Sequence, residues 1–280
     1  MSENGFCFCP LLSGSSGNAT YIAAGSERIL VDCGVSGKQV TAALEAIDVA
    51  ADTLSALFIT HAHNDHLRGV GVLSRRYHLP IYASCGTWKE IGRWNALGEI
   101  APENIHVFDS CRSQIDTPFM AIQVTCFPLP HDTPDPVGYR FSLGGKTVVV
   151  ATDIGYITPE IKDAAGYADI ILLESNHDLD MLKNGSYPWH LKRRILSNYG
   201  HLSNEAAGIF AVELAKNGTR RIYLGHLSQE NNRPQLALET VAARLSRSKI
   251  DPERDVELLV ARRDAPSEPT RWQIDETRAD

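Results

Sequence analysis

Residues 61–66 read His-Ala-His-Asn-Asp-His, so four of six consecutive side chains are metal donors. The run follows Leu54 to Thr60, an apolar stretch that predicts a buried strand ending at Thr60, and precedes Leu67 to Tyr77, whose spacing predicts a helix. The cluster therefore falls on a strand-to-helix turn. From such a turn His61 and His63 can converge on one ion, while Asp65 and His66, entering the helix, point at a neighbouring one. Imidazole and carboxylate are the donors for zinc and related first-row ions, and a shared carboxylate lets two cations sit side by side. A fold that satisfies this turn must bring further donors to it.

Four stretches later offer them by one design, an acidic residue or histidine directly after a predicted strand. They are Asp32 in Val-Asp-Cys-Gly, His131 in Leu-Pro-His-Asp, Asp153 in Ala-Thr-Asp-Ile-Gly and His226 in Leu-Gly-His-Leu-Ser. Strand ends along one edge of packed sheets bring distant positions together on rigid supports. A small residue beside the donor (Gly34, Gly155, Gly225) is expected to let backbone approach the ion.

The rest of the chain supplies strands in two batches, each followed by helices. Strands are expected at Phe6–Leu12, Ala19–Ala24, Arg28–Val31, Pro80–Ala83 and His106–Phe108, with a helix at Lys38–Ala46 capped by Ser36 and another at 87–95. The second batch comprises Met120–Pro128, a hairpin of Val137–Leu143 and Thr147–Ala151 about Gly144-Gly145, Ile170–Leu173, Arg221–Leu224 and Val256–Ala261. Helices are expected near 159–165, 188–197, 204–216 and 233–247. Two stacked mixed sheets flanked by helices, an α+β protein of αββα type, fit this order better than a doubly wound parallel sheet, because hairpins occur in each half. Residues 1–263 are expected to form one domain and 264–280 a loosely held tail.

At 280 residues with 43% apolar side chains the chain can bury a real core. It holds no run of 18 apolar residues, and Met1 to Phe6 lacks the basic start of an export signal, so a cytoplasmic protein without membrane contact is expected. Six scattered cysteines then read as reduced thiols, with Cys7 and Cys9 as alternate positions of one strand. A net charge of −7 does not advertise a nucleic-acid binder, yet Lys192-Arg193-Arg194 is a local basic patch that can meet a polyanion.

The order Asp32, His-x-His-x-Asp-His at 61–66, His131, Asp153 and His226 resembles that of metallo-β-lactamase-fold hydrolases over most of residues 5–262. The resemblance implies an αββα sandwich with two metals at the edge between the sheets. His61, His63 and His131 would hold one cation, and Asp65, His66 and His226 the other. Asp153 would bridge them, and Asp32 would orient His61 from behind. Zinc or manganese suits this cysteine-free set, and iron is compatible.

Narrower features are similar to the YycJ/WalJ-like branch, related to the RNase J and tRNase Z nucleases. They are Ser13-Gly-Ser-Ser-Gly-Asn, Glu174-Ser-Asn-His-Asp, Tyr187-Pro, Gly200-His201-Leu-Ser-Asn and Gly225-His226-Leu-Ser. The β-CASP insertion of larger relatives is absent from this pattern, since about fifty residues separate Glu174 from His226. The resemblance implies phosphodiester hydrolysis in nucleic acid, DNA more than RNA, in an exonuclease-like mode. Two cations roughly 3.5–4 Å apart would activate a hydroxide. Asp65, His201, Glu174 and His177 are the candidate catalytic group, with His201 as general acid and Glu174 or His177 as its partner. Ser13, Ser16, Asn18, Lys192, Arg193 and Arg194 are candidate contacts to substrate phosphates. The Gly-rich turn lacks a following Gly-Lys-Ser/Thr, so no nucleotide triphosphate cofactor is expected. A small-molecule hydrolase of glyoxalase II or lactonase type on the same metals, and a non-catalytic binding module, stand as the alternatives; oligomeric state stays open.

Overall fold

A computed structural model describes residues 5–273 of the chain. Among these residues the strands form two seven-stranded mixed sheets. The first contains β1 (Gly5–Leu12), β2 (Ala19–Ala24), β3 (Glu27–Val31), β4 (Ala56–Phe58), β5 (Ile81–Ser84) and β6 (Ile105–Phe108). The second contains β7 (Gln114–Ile115), β8 (Gln123–Pro128), β9 (Val137–Leu143), β10 (Lys146–Ala151), β11 (Ile170–Glu174), β12 (Arg221–Gly225) and β13 (Glu257–Val260). A last strand, β14 (Thr270–Gln273), joins the first sheet beside β1. Within each sheet antiparallel pairs give way to a parallel block, β3 to β6 in one and β10 to β13 in the other.

The central strands are apolar on both faces because both faces are covered. In β1, Phe6 and Phe8 face the layer between the sheets, while Cys7, Cys9 and Leu11 face the helices outside the first sheet. In β10, Val148 and Val150 pack between the sheets, and Val149 and Ala151 face the helices outside the second. Period-2 alternation thus divides each strand between two cores, which is why these stretches read as continuous hydrophobic runs.

The helices supply the outer layers. Val40, Ala43 and Leu44 of α1 (Gly37–Glu45) cover the first sheet. Ser36 caps α1, as the sequence predicts, and Gln39 returns a bond to the Ser36 backbone N–H. The helix expected at Leu67–Tyr77 is split into α2 (Asn64–Leu67) and α3 (Val70–Tyr77). Between them Gly69 packs tightly, since a Cβ there would stand 2.4 Å from Cys33 Sγ and 2.5 Å from Val35 O. Next comes α4 (Cys85–Trp94), capped by Ser84. The second sheet is covered by α5 (Pro159–Ala165) and by two longer helices described below. Between these lie α6 (Leu179–Asn184), which the sequence did not signal, and α7 (Trp189–Ile195). The long pair, α8 (Asn204–Lys216) and α9 (Pro234–Arg247), buries Phe210, Leu214, Val241 and Leu245 against β11 and β12.

The end of the chain departs from expectation. Residues 264–273 are held rather than loose: Thr270 and Ser267 are buried, and Phe6 stacks on Trp272 at 5.2 Å. Pairing with β1 lends β14 an order its short polar sequence does not encode. The rest of the predicted tail, 274–280, lies outside the described residues. Among the described residues no helix is long and apolar enough to cross a membrane. All six cysteines are free, and Cys7 and Cys9 are buried on β1 as expected.

The two sheets are tied near one rim, where Val137 N–H donates to Thr60 O (3.0 Å) and the Tyr139 hydroxyl to Ile59 O (2.6 Å). The carboxyl ends of β3, β4, β10, β11 and β12 reach this rim.

Candidate metal centre

At those strand ends the predicted donors meet. His61, His63 and His131 bring their ring nitrogens together, and Asp65 brings a carboxylate oxygen to the ring nitrogens of His66 and His226, the atoms of each trio lying within 4.8 Å of one another. His63 Nδ1 lies 3.1 Å from His61 Nε2 and 3.3 Å from His131 Nε2. Donors about 2.0–2.1 Å from a tetrahedral ion stand about 3.3 Å from each other, so the spacing suits a cation. In the second trio Asp65 Oδ2 is 3.3 Å from His226 Nε2 and 3.6 Å from His66 Nε2. Asp153 spans the two: Oδ1 is 3.6 Å from His131 Nε2, and Oδ2 is 3.3 Å from His66 Nε2. Its buried Oδ2 has no well-aligned hydrogen bond, the nearest N being His66 Nε2 at 3.3 Å. A carboxylate oxygen left so is costly unless a cation meets it. The residues present therefore fit two divalent cations.

Behind the donors each buried ring is fixed by its other nitrogen, the arrangement that sets tautomer and aim at metal sites. His61 Nδ1 contacts Thr60 Oγ1 (3.0 Å), His131 Nδ1 donates to Gly200 O (3.1 Å), and His226 Nδ1 donates to Glu174 Oε1 (2.8 Å). Here the expectation for Asp32 needs correcting. Its Oδ2 pairs with His66 Nδ1 at 2.7 Å, not with His61; it reaches His61 only through Thr60 Oγ1, which donates to Asp32 Oδ2 at 2.9 Å. The register of β3 beside β4, with Val31 opposite Phe58, puts Asp32 level with Thr60 and under the incoming helix that carries His66.

Burial drives His61, His63 and His131 towards the neutral form, and repulsion from a neighbouring imidazole adds to it, chiefly His66 for His61, His131 for His63 and His201 for His131. Neutral imidazole is the form that binds a cation. Burial opposes ionisation of Asp65 and Asp153, but the facing imidazoles prevail and hold both carboxyls ionised far below the usual range.

A second pair stands at the edge of the donor cluster. Glu174, fully buried, accepts four hydrogen bonds. Oε1 takes His201 Nδ1 and His226 Nδ1, both at 2.8 Å, and Oε2 takes the N–H groups of Ile154 (2.7 Å) and Leu202 (3.0 Å). Burial raises the Glu174 carboxyl, yet His201 and His226 outweigh it and hold it at about 2. Burial likewise disfavours charge on His201, but Glu174 and then Asp153 overcome this and raise the imidazole above its ordinary value. His201 lines the open cavity at the centre, about 410 Å³, together with His63, Asp65, Asp132, Tyr187 and Arg194.

His177 takes no part. It is buried, neither ring nitrogen has a partner, and burial pushes its pKa down to about 4. Its backbone is bridged to Ser203, and Glu174 pairs with His201 instead.

Most of the expected phosphate contacts are also redirected. Ser13 is buried and accepts from His226 N–H (2.9 Å), so it holds the backbone under a donor. Asn18 accepts from Gly14 N–H (3.0 Å), and its own N–H donates to Asp65 O (2.9 Å), bracing the donor turn. Ser15, not Ser16, lines the cavity. Lys192 is buried with Nζ donating to Lys183 O (2.8 Å) and Gly185 O (2.7 Å), because its position faces inward on α7. Arg193 is exposed but outside the cavity wall. Arg194 alone lines the cavity, paired with Asp132. Asp132, which the sequence reading passed over, also lies 3.6 Å from His131 Nε2; its place directly after His131 was the available signal.

The glycines beside the donors serve backbone packing rather than approach to an ion. A Cβ on Gly34 would lie 1.5 Å from Asp65 O, and one on Gly155 2.0 Å from Asn198 O.

Two mixed sheets between helices, with a histidine- and aspartate-rich centre at one rim, define the metallo-β-lactamase architecture. The chain belongs to that family: residues 27–227 match the β-lactamase superfamily domain. It is 40% identical over 250 residues to the exodeoxyribonuclease WalJ of Streptococcus pneumoniae, covering 89% of this chain and 92% of that protein. It is 37% identical over 238 residues to the exodeoxyribonuclease YycJ of Bacillus anthracis, covering 85% and 88%. Among solved structures, the metallo-β-lactamase-fold protein YhfI of Bacillus subtilis superposes with a TM-score of 0.69 at 18% identity, over 94% of this chain and 99% of that one.

Proposed function

We propose that the chain is a metal-dependent nuclease that hydrolyses phosphodiester bonds in DNA, working from strand ends. The observation that carries this reading is the Glu174–His201 pair beside the donor cluster. An alkoxide leaving group needs a proton, and Glu174, bonded to His201 Nδ1 at 2.8 Å, favours the protonated imidazole at the wall of the cavity. The names of the relatives similar over nearly their whole length, both exodeoxyribonucleases, favour the same substrate.

His61, His63 and His131 would hold one cation and Asp65, His66 and His226 the other, with Asp153 shared. When bound, two such ions lower the pKa of a coordinated water and draw charge from the non-bridging phosphate oxygens. The chain's own residues do the rest. Nδ1 of His201 is tied to Glu174, which leaves the second ring nitrogen to deliver the proton to the departing oxygen. Arg194, oriented by Asp132, meets a substrate phosphate at the cavity wall. Zinc or manganese is the proposed metal. Free thiols at exposed Cys85 and Cys111 suit a reducing, cytoplasmic setting.

Metal-loaded protein assayed on end-labelled single- and double-stranded DNA, on RNA and on a glutathione thioester tests the reading. Release of mononucleotides from DNA is expected. Turnover of the thioester alone would hand the site to the small-molecule alternative.

A further inference from the structure

Three arginines, Arg233, Arg262 and Arg263, line a hollow of about 270 Å³ whose wall includes Ser13 and Leu227. Adjoining residues of the same two segments line the cavity at the metal centre: Ser15 of the Gly-rich turn, and His226 and Ser228 after β12. The hollow and the centre are therefore neighbours across residues 13–15 and 226–228. The segment carrying Arg262 and Arg263 follows β13 and is pinned to both of these stretches. Ser13 N–H donates to Arg262 O (2.9 Å), and Arg263 Nη2 donates to Leu227 O (2.8 Å). A Cβ on Gly14 would lie 2.9 Å from Arg263 Nη1, so the guanidinium packs close against the turn.

No carboxylate answers these charges. Among the described residues no acid lines the hollow, and the arginines that form ion pairs are Arg93, Arg194, Arg221 and Arg254. The chain has 34 acidic residues against 27 basic ones, so three uncompensated guanidinium groups at one hollow stand out from its surface. The N-terminus of α9 adds to them. Arg233 is its N-cap and Pro234 its first residue, with no side-chain cap and no acid in the first turn. The helix dipole there has its positive end, and guanidinium forks match phosphate oxygens. A polymer whose scissile phosphodiester lies at the metal centre runs on over the adjoining surface, where its next phosphates need such partners.

We propose that the arginine hollow is a second phosphate site, holding a non-scissile phosphodiester of the DNA backbone and so fixing which bond stands at the metal centre. The proposal rests on the nuclease reading above. It gives Arg233 and Arg262 a part in binding and register, separate from the chemistry.

The variant for the test is Arg233→Gln/Arg262→Gln, which spares Arg263 because that side chain also braces Leu227. KM and kcat are measured on duplex oligonucleotides with one uncharged methylphosphonate linkage, moved stepwise from the cleaved end. In the wild type one position other than the scissile bond should raise KM. In the double variant the same linkage should add nothing, while kcat on unmodified DNA is unchanged. Loss of one phosphate contact should also shrink the slope of log K against log salt by about 0.9. For DNA blocked at its scissile bond, raising salt from about 50 to about 200 mM should then weaken wild-type binding roughly 3-fold more than the variant's. Coincident methylphosphonate profiles with an unmoved salt slope would overturn the phosphate site and leave the nuclease reading standing. A variant that loses only its inhibition by inorganic phosphate, with profiles unchanged, would give the hollow to a free anion and overturn the site as well. Failure of the wild type to cut any DNA would overturn both.

Discussion

Glu174→Gln is the sharpest perturbation available, because the glutamate holds two functions in one buried group. Four donors converge on its two oxygens: His201 and His226 on one, the Ile154 and Leu202 amides on the other. Glutamine offers one acceptor oxygen and turns an NH₂ towards whichever pair it does not serve. Two buried donors are stranded in either orientation. At about 1–3 kcal/mol for each unsatisfied buried group, the loss is about 2–6 kcal/mol. The folded-state pKa of about 2 argues in the same direction. A carboxyl depressed in the folded state contributes stability above its unfolded value of about 4.5, lost as pH falls towards 2. Urea unfolding near neutral pH should show a lower midpoint at unchanged slope. The variant should also lose roughly 10²–10⁴ in kcat, since His201 loses the group that keeps it protonated. Without the carboxylate, burial wins and the alkaline limb of the rate profile moves to lower pH. A variant within about 0.5 kcal/mol of wild type, a change typical of surface substitutions, with an unmoved alkaline limb, would refute the argument.

Three other outcomes are expected. His201→Ala should keep two equivalents of metal by elemental analysis while losing roughly 10²–10⁴ in rate; release of metal would show that His201 is a ligand. Arg194→Ala should raise KM for DNA and shrink the salt dependence of binding by about one counterion, whereas Lys192→Met should lower stability without changing that slope, as its Nζ serves two carbonyls. Between pH 7 and 4 wild type should lose about 3 kcal/mol more stability than His177→Leu: the folded pKa of about 4 lies below the unfolded value of 6.5, so the unfolded chain takes up the proton first as pH falls. Equal pH profiles in urea would remove that reading of His177.

The convergence of the candidate side chains was legible because its information is local. His61, His63, Asp65 and His66 are contiguous, and Asp32, His131, Asp153 and His226 each follow an apolar run that announces a strand. Period-2 runs likewise fixed most strands within a residue or two, as at Ala19–Ala24. Pairings across the sheet were not legible. Whether Asp32 faces His61 or His66 depends on the β3–β4 register, and no residue near Asp32 records it. Ser13, Asn18 and Lys192 are polar groups whose partners are backbone atoms of distant or buried segments, so their types alone read as surface ligands. β14 was missed for the same reason, since its order comes from β1.

Why the donors lie at strand ends follows from backbone geometry. Asp32, Asp153 and His226 all have φ near +60°, at 59°, 62° and 54°. Aspartate and histidine are among the few non-glycine residues enriched there, but the conformation still costs about 1–3 kcal/mol per residue. Each such residue turns the chain out of its strand at the rim, which an extended residue would not do. The strain persists because each site is over-determined: Asp32 N–H donates to Phe58 O (2.8 Å), His226 N–H to Ser13 Oγ (2.9 Å), and Ile154 N–H, directly after Asp153, to Glu174. The Gly-rich turn and Glu174 therefore act as clamps on strained donors. This explains why Ser13 and Asn18 face inward, and it makes rigidity of the rim, more than the identity of any one donor, the property that keeps the separate segments converging on one centre.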